Sequence, residues 1–206
     1  MNLIERATVI HYHRHRIANC PDDSVKALGW RGEESQLKRF EVIAEAVDFT
    51  GRSVLDIGCG CGDLKTFLDR RYEGVAYLGI DQMPEFIDLA RTRHADTRDA
   101  LFQLGDFATM AWPEAEVVVA SGALGYRSAE AGFHLRMIRK MFDAARQAVI
   151  FNVLDAACFP EHPLLVGRDC ESVVAFCRTL SPHVDVVRGY LADDMTVVIC
   201  TRRDAR

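Results

Sequence analysis

The stretch VLDIGCGCGDL, residues 54–64, runs three apolar residues and an aspartate straight into glycines at 58, 60 and 62. A strand that ends in a glycine-rich turn lets backbone come close to a ligand. The glycine spacing separates the possible ligands. A dinucleotide fingerprint needs G-x-G-x-x-G, because its third glycine permits tight helix–strand packing. Counting from Gly58 and Gly60, that third position is Asp63, and the spacing is instead G-x-G-x-G. Asp56 stands two residues before the first glycine. Carboxylates at both ends of the turn serve a pyrophosphate poorly and a cationic ligand well. The bland alternative is a strand–helix turn in which glycine only relieves strain.

Outward from this turn the chain alternates. VLDI (54–57), VAYLGI (75–80), LFQL (101–104), VVVA (117–120) and AVIFNV (148–153) are short, apolar and rich in β-branched or aromatic residues. Buried parallel strands have that composition. SQLKRFEVIAEAVDF (35–49) predicts a helix, broken by Thr50-Gly51. Pro84 opens another, with Phe86, Ile87, Leu89 and Ala90 apolar. Phe133, Met137 and Met141 recur at helical spacing beside Ile138 and Phe142, a stripe that predicts core packing. VDVVRGYL (184–191) and MTVVICT (195–201) predict an antiparallel hairpin, with Asp193-Asp194 in its turn. Strands alternating with helices predict an α/β sheet covered on both faces, with ligands beyond the strand carboxyl ends.

Composition bounds the rest. The 206 residues suit one domain, and 49% hydrophobic with 27% charged residues is an ordinary globular balance. A net charge of −5 gives no reason to expect nucleic-acid binding. No apolar run reaches membrane-spanning length, and MNLIERATVI lacks a signal-peptide pattern. Seven cysteines without paired CxxC spacing predict reduced thiols in a cytoplasm.

The turn, with the motifs that follow in order, resembles motif I of the class I S-adenosylmethionine-dependent methyltransferases. LGID ends the second strand at Asp81, GDF (105–107) follows the third, and ASGAL (120–124) follows the fourth. S-adenosylmethionine carries a sulfonium and an α-ammonium and no phosphate, which suits the acidic turn. The resemblance covers about residues 35–201. It implies a three-layer α/β/α Rossmann-like fold of seven strands in the order 3-2-1-4-5-7-6, one of them antiparallel. It also implies cofactor contacts from Asp56, Gly58, Cys59 and Gly60 in the turn, and from Gln82 beside Asp81. Asp81 would accept hydrogen bonds from the ribose hydroxyls. Gly105 precedes Asp106, which would bond the adenine amino group, and Phe107, which would lie against the ring. Ser121 and Gly122 fall where the family brings methyl donor and acceptor together.

WRGEESQLKRF (30–40) looks like a segment found just upstream of motif I in small bacterial members of this family. There Gln36 and Arg39 would reach the methionine carboxylate and Trp30 would shield the sulfonium, the alternative being a solvated amphipathic helix with a buried Trp. The expected organisation is a single domain, 1–206, with a cap or lid over residues 1–35 and a core over 36–201. Residues 153–170 are a second candidate lid.

Other features have plainer readings. His11, His13 and His15 alternate in a run that looks helical, which does not bring them onto one face, so no metal site is expected. Cys59 and Cys61 fit the turn by their small size. Trp112-Pro113 reads as a loop, and the tail RRDAR (202–206) as a solvated end.

The resemblance therefore points to methyl transfer from S-adenosylmethionine to a small-molecule acceptor. Tyr126, five residues after Ser121, and Asn152, ending the fifth strand, are the candidate catalytic residues. His162 is expected to satisfy local backbone groups, and no residue stands out as a general base. Two rivals use the same loops: an enzyme that transfers or cyclises the aminocarboxypropyl arm, and a non-catalytic cofactor-binding protein. An NAD enzyme is disfavoured by the glycine spacing. The acceptor, the atom methylated and the oligomeric state are left open.

Overall fold

The computed structural model describes residues 1–20 and 23–201, so the RRDAR tail lies outside the described residues. Seven strands form one sheet in the order β3-β2-β1-β4-β5-β7-β6. They are β1 (Ser53–Ile57), β2 (Ala76–Asp81), β3 (Ala100–Leu104), β4 (Ala115–Ala120), β5 (Ala145–Leu154), β6 (Val184–Val187) and β7 (Asp194–Cys200). The first five pair in parallel, and β7 runs antiparallel to both β5 and β6. The order and the antiparallel strand match the expected fold. Asp193-Asp194 departs from expectation. Asp194 is not in the turn but opens β7 opposite Leu154, and both aspartates are buried.

Strand alternation splits the core into two layers. Val118 and Ala120 of β4 face one layer, and Val117 and Val119 face the other. In β5, Val149, Phe151 and Val153 join the first layer, Ala148 and Ile150 the second. Helices α6 (Phe133–Ala144) and α7 (Cys170–Leu180) cover the first layer. The Phe133, Met137, Ile138 and Met141 stripe is buried there, each side chain contributing about 1.5–3 kcal/mol of transfer free energy. Helices α3 (Glu33–Ala46), α4 (Asp63–Asp69) and α5 (Pro84–Arg93) cover the second layer. Helix α3 begins and ends before the 35–49 reading, because Val47 turns extended and carries the chain to the fully buried Phe49.

The N-terminal helix α1 (Leu3–Asn19) starts at an Asn2–Glu5 capping box, and one turn, α2 (Ser24–Ala27), leads into α3. Glu5 also holds the 128–129 loop through Ser128 Oγ (3.0 Å) and the Ala129 N–H, and Arg14 pairs with Glu85 of α5 at 2.7 Å. These contacts lay α1 across the carboxyl ends of the sheet. No helix among the described residues is long and apolar enough to cross a membrane.

Candidate functional site

A cavity of about 280 Å³ opens where β1, β2, β4 and β5 end. Its floor is Asp56 of β1 with Gly58, Cys59 and Gly60 after that strand, Asp81 closing β2 with Gln82 after it, Ser121 and Gly122 after β4, and Asn152 of β5. Its roof comes from α1, residues 28–31 and residues 159–165.

Asp56 is the sharpest feature. It is 2% exposed. Its Oδ2 accepts a hydrogen bond from Tyr77 Oη, but Oδ1 is buried with no partner. Burial, with a smaller push from Asp81, raises its carboxyl to about 7. A buried carboxyl oxygen without a donor is costly unless a ligand completes it. Asp81 is also buried, and burial raises its pKa against the pull of N–H groups from Met83 (2.8 Å) and Gly60 (3.0 Å). It thereby ties the glycine turn to the end of β2. Ser121 Oγ is a further buried oxygen without a partner.

The glycines are required by shape. At Gly58 (φ 76°) an added Cβ would lie 2.7 Å from Ala123 Cβ, and at Gly60 (φ 54°) 2.5 Å from Leu28 Cδ2. Gly60→Val is therefore expected to keep the fold and lose at least tenfold in S-adenosylhomocysteine affinity. Gly51→Ala is its control, since Gly51 also has positive φ (68°) but nothing within 4 Å of its added Cβ. Both substitutions strain the backbone by about 1–3 kcal/mol. Calorimetry should find the loss at Gly60 alone, and equal affinities would refute the cradle.

Other expected residues fall into three groups. Trp30, Gln36 and Arg39 all line the cavity. The Trp30 ring lies over Gly122, whose added Cβ would sit 2.8 Å from Trp30 Cη2, and Arg39 stacks on Trp30 at 4.8 Å. Arg39 directs its fork at a carboxylate of the protein itself. Nε (2.8 Å) and Nη2 donate to Asp194, and Nη1 donates to the Ser35 carbonyl (2.8 Å). Gln36 Nε2 donates to Asp63 Oδ2 at 3.2 Å.

Asn152 works inside the same network. Its Oδ1 accepts from the Gly122 N–H (2.7 Å), and its Nδ2 donates to both oxygens of Asp194 (2.8 and 3.0 Å). Tyr190 Oη donates to Asp194 at 2.5 Å.

The third group sits less centrally. Phe107 lines the cavity, but Gly105 and Asp106 are not among its lining residues. Met110 Sδ packs on Gly105. The Asp106 carboxyl turns back onto the Ala108 N–H (2.9 Å) and faces Arg6 of α1 at 3.8 Å.

The structure adds residues that the sequence reading passed over. His13 was grouped with two bland neighbours, yet it is buried and lines the cavity. Its Nδ1 meets the Ala27 carbonyl at 3.0 Å and its Nε2 meets Tyr126 Oη at 2.6 Å. Its signal was weak, because a single inward residue on a polar helix carries no period. His162 takes the local role expected, with Nδ1 accepting from the Leu164 (3.2 Å) and Leu165 (3.0 Å) N–H groups. Phe159, Leu164 and Leu165 bring the 153–170 stretch to the cavity wall.

A methyltransferase-domain family model matches residues 54–149. The chain is 33% identical over 91 residues to a demethylmenaquinone methyltransferase of Deinococcus radiodurans, covering 44% of this chain and 38% of that one. It is 32% identical over 115 residues to the magnesium-protoporphyrin O-methyltransferase of Rhodobacter capsulatus, covering 54% and 49%. The matches thus span less than half of those relatives' lengths. The fold is similar to that of the magnesium protoporphyrin IX methyltransferase from Synechocystis PCC 6803, solved with bound S-adenosylhomocysteine. That likeness has a TM-score of 0.68 at 13% identity, over 95% of this chain and 99% of that one. Residues 54–149 thus carry a methyltransferase-domain sequence, and the chain as a whole has the seven-stranded fold of that methyltransferase, with the glycine turn after β1.

Proposed function

We propose that this chain transfers the methyl group of S-adenosylmethionine to a small-molecule acceptor held under the α1 roof. The observation that carries this reading is the buried, unpartnered Asp56 Oδ1 beside the glycine turn. An α-ammonium would supply the missing donor. Gly58, Cys59 and Gly60 would face the cofactor backbone-first, Asp81 and Gln82 its ribose, and Phe107 its base. Ser121 and Gly122 would lie near the transferred group beneath Trp30. Gln36 and Arg39 would border the methionine carboxylate, Arg39 while still holding Asp194.

When bound, the cofactor supplies a methyl group on an already activated sulfonium. What the protein adds is position and exclusion of water. Trp30, α1 and residues 159–165 close the space from three sides, while Asn152 fixes the Gly122 turn. The relatives named above act on small molecules by their names, and the net charge of −5 favours such an acceptor over a nucleic acid. Buried thiols at Cys59, Cys61, Cys170 and Cys177 suit a reducing cytoplasm.

The experiment is incubation with methyl-labelled S-adenosylmethionine and a metabolite extract. S-adenosylhomocysteine with a labelled acceptor supports the reading. Methylthioadenosine as product would replace it with aminocarboxypropyl chemistry. Asp81→Ala should weaken S-adenosylhomocysteine binding by about 1.5–3 kcal/mol, tenfold or more. Undiminished affinity would move the ribose elsewhere.

Residues 1–35 are proposed to act as the cap over a single 1–206 domain, with the core over 36–201. Hydrogen exchange across residues 3–19 should slow when S-adenosylhomocysteine is added, since the α1 side chains Val9, Tyr12 and His13 roof the cavity. Unchanged exchange there, with the glycine turn protected, would make α1 a static wall.

A further inference from the structure

We propose that Tyr126 and His13 form a two-residue proton relay that takes the hydroxyl proton of an uncharged, largely apolar acceptor, so that the transfer is an O-methylation. The inference rests on the methyltransferase reading and names its acceptor class.

The tautomer follows from the partners. The Ala27 carbonyl can only accept, so His13 Nδ1, 3.0 Å away, carries the proton. Nε2 of the neutral ring then holds a lone pair, and Tyr126 Oη at 2.6 Å donates to it. Burial holds His13 below its ordinary imidazole range, with Arg16 adding to the effect, so the ring is neutral at pH 7. Burial also holds the Tyr126 phenol above its ordinary range, so a free tyrosinate is disfavoured. Tyr126 can therefore pass a proton only as it receives one.

Both side chains line the cavity, and both are fixed. Tyr126 bridges to Leu165 across the loop that walls the cavity, and its carbonyl accepts from Arg168 Nη2 at 3.3 Å. The His13 ring packs edge-on against Phe86, with centroids 5.2 Å apart.

His162 and Asn152 are engaged elsewhere, and Asp56 is reserved in this reading for the cofactor's ammonium. His162 Nδ1 accepts two backbone N–H bonds, which leaves the neutral ring's proton on Nε2 and makes its free edge a donor. Both ends of the Asn152 amide are engaged. The acceptor's character follows from the walls. Val9, Tyr12, Leu154, Phe159, Leu164 and Leu165 give an apolar surface. Among the described lining residues the guanidinium groups are Arg31 and Arg39, already paired with Asp193 and Asp194. An anionic acceptor would find no uncommitted cation there.

The step balances. The acceptor oxygen forms its bond to the methyl carbon while the carbon–sulfur bond breaks and that electron pair stays on sulfur. The acceptor's proton passes to Tyr126 Oη as the tyrosine's own proton passes to His13 Nε2. The positive charge lost at sulfur reappears on the imidazolium, whose Nδ1–H already faces the Ala27 carbonyl.

Calorimetry on the protein loaded with S-adenosylhomocysteine tests this with three probes: 2-naphthol, its methyl ether 2-methoxynaphthalene, and 2-naphthoate. The relay predicts that naphthol binds about tenfold tighter than the ether, and that naphthoate binds weakest. Tyr126→Phe should erase the preference for naphthol over the ether while leaving S-adenosylhomocysteine affinity within about twofold. His13→Gln should reduce the preference and, in naphthol turnover, lower kcat more than it raises KM. A residue that only latched α1 in place would weaken naphthol and ether alike. Equal binding of the two, no naphthol binding by the loaded protein, a preference that survives Tyr126→Phe, or tightest binding of naphthoate would each overturn the relay. Failure to bind S-adenosylhomocysteine at all would overturn the methyltransferase reading beneath it.

Discussion

Replacing Arg39 with Ala is expected to lower the unfolding free energy by about 3–5 kcal/mol, a large share of the roughly 5–15 kcal/mol of a typical domain. The Asp194 side chain has no solvent exposure and that of Arg39 has 8%. Removing the guanidinium strands a buried carboxylate whose other donors are Asn152 and Tyr190. Arg39→Lys should recover only part of the loss, because an ammonium lacks the fixed fork whose Nε and Nη2 both donate to Asp194 Oδ2. Arg39→Met with Asp194→Leu should be less destabilised than Arg39→Ala, since desolvation of both charges then disappears along with their attraction. Urea unfolding of the four proteins measures this. A loss under 1 kcal/mol for Arg39→Ala would mean that the pair is solvated in solution. The same substitution should weaken cofactor binding, because Arg39 supports Trp30 and Asp194 holds the Asn152–Gly122 connection.

The second large effect is at Asp56 and depends on pH. Its carboxyl is raised from 3.8 to about 7, with burial the main cause. The folded protein therefore keeps a proton that the unfolded chain gives up. This stabilising share is complete below about 3.8 and lost as pH rises through about 7. Three pKa units correspond to roughly 4 kcal/mol as an upper figure.

Without ligand, the wild-type protein should lose stability between pH 4 and 8 relative to Asp56→Asn, in which that slope is flattened. Ligand binding should run the other way. A charged ammonium prefers the ionised carboxylate, so S-adenosylhomocysteine affinity should rise from pH 6 to 8 in the wild type. In Asp56→Asn it should be low and nearly flat across that range. Thermal melts and calorimetry at matched ionic strength provide both readings. A wild-type affinity that falls over this range would remove Asp56 from the ammonium site.

Much of the architecture was legible in the chain. Strand β1 could be read because Val54, Leu55 and Ile57, interrupted only by Asp56, lead into glycine, and a strand buried on both faces is mostly apolar. Helix α6 could be read because Phe133, Met137 and Met141 recur at one helical face. The strand order came from the resemblance, since apolar runs do not say which strand neighbours which.

Helix α7 (CESVVAFCRTL) was not assigned, although its signal is local: Asp169 caps it by accepting from the Glu171 N–H, and the buried Cys170, Val173, Val174 and Cys177 recur on one helical face. Asp193-Asp194 reads locally as a turn, and a short sequence window cannot show that Arg39, 155 residues away, makes burial of Asp194 tolerable.

By itself the sequence determined the α/β alternation, the acidic G-x-G-x-G turn and the acidic residue closing β2. Each of these is a local pattern in which neighbouring residues dictate backbone shape. Only the tertiary structure decided that Asp56 keeps an oxygen without a donor, that Arg39 spends its fork on Asp194, and that His13 meets Tyr126 across 113 residues. Those facts depend on burial and on contacts between distant segments, and neither spacing nor composition encodes the partner that a buried polar group will find.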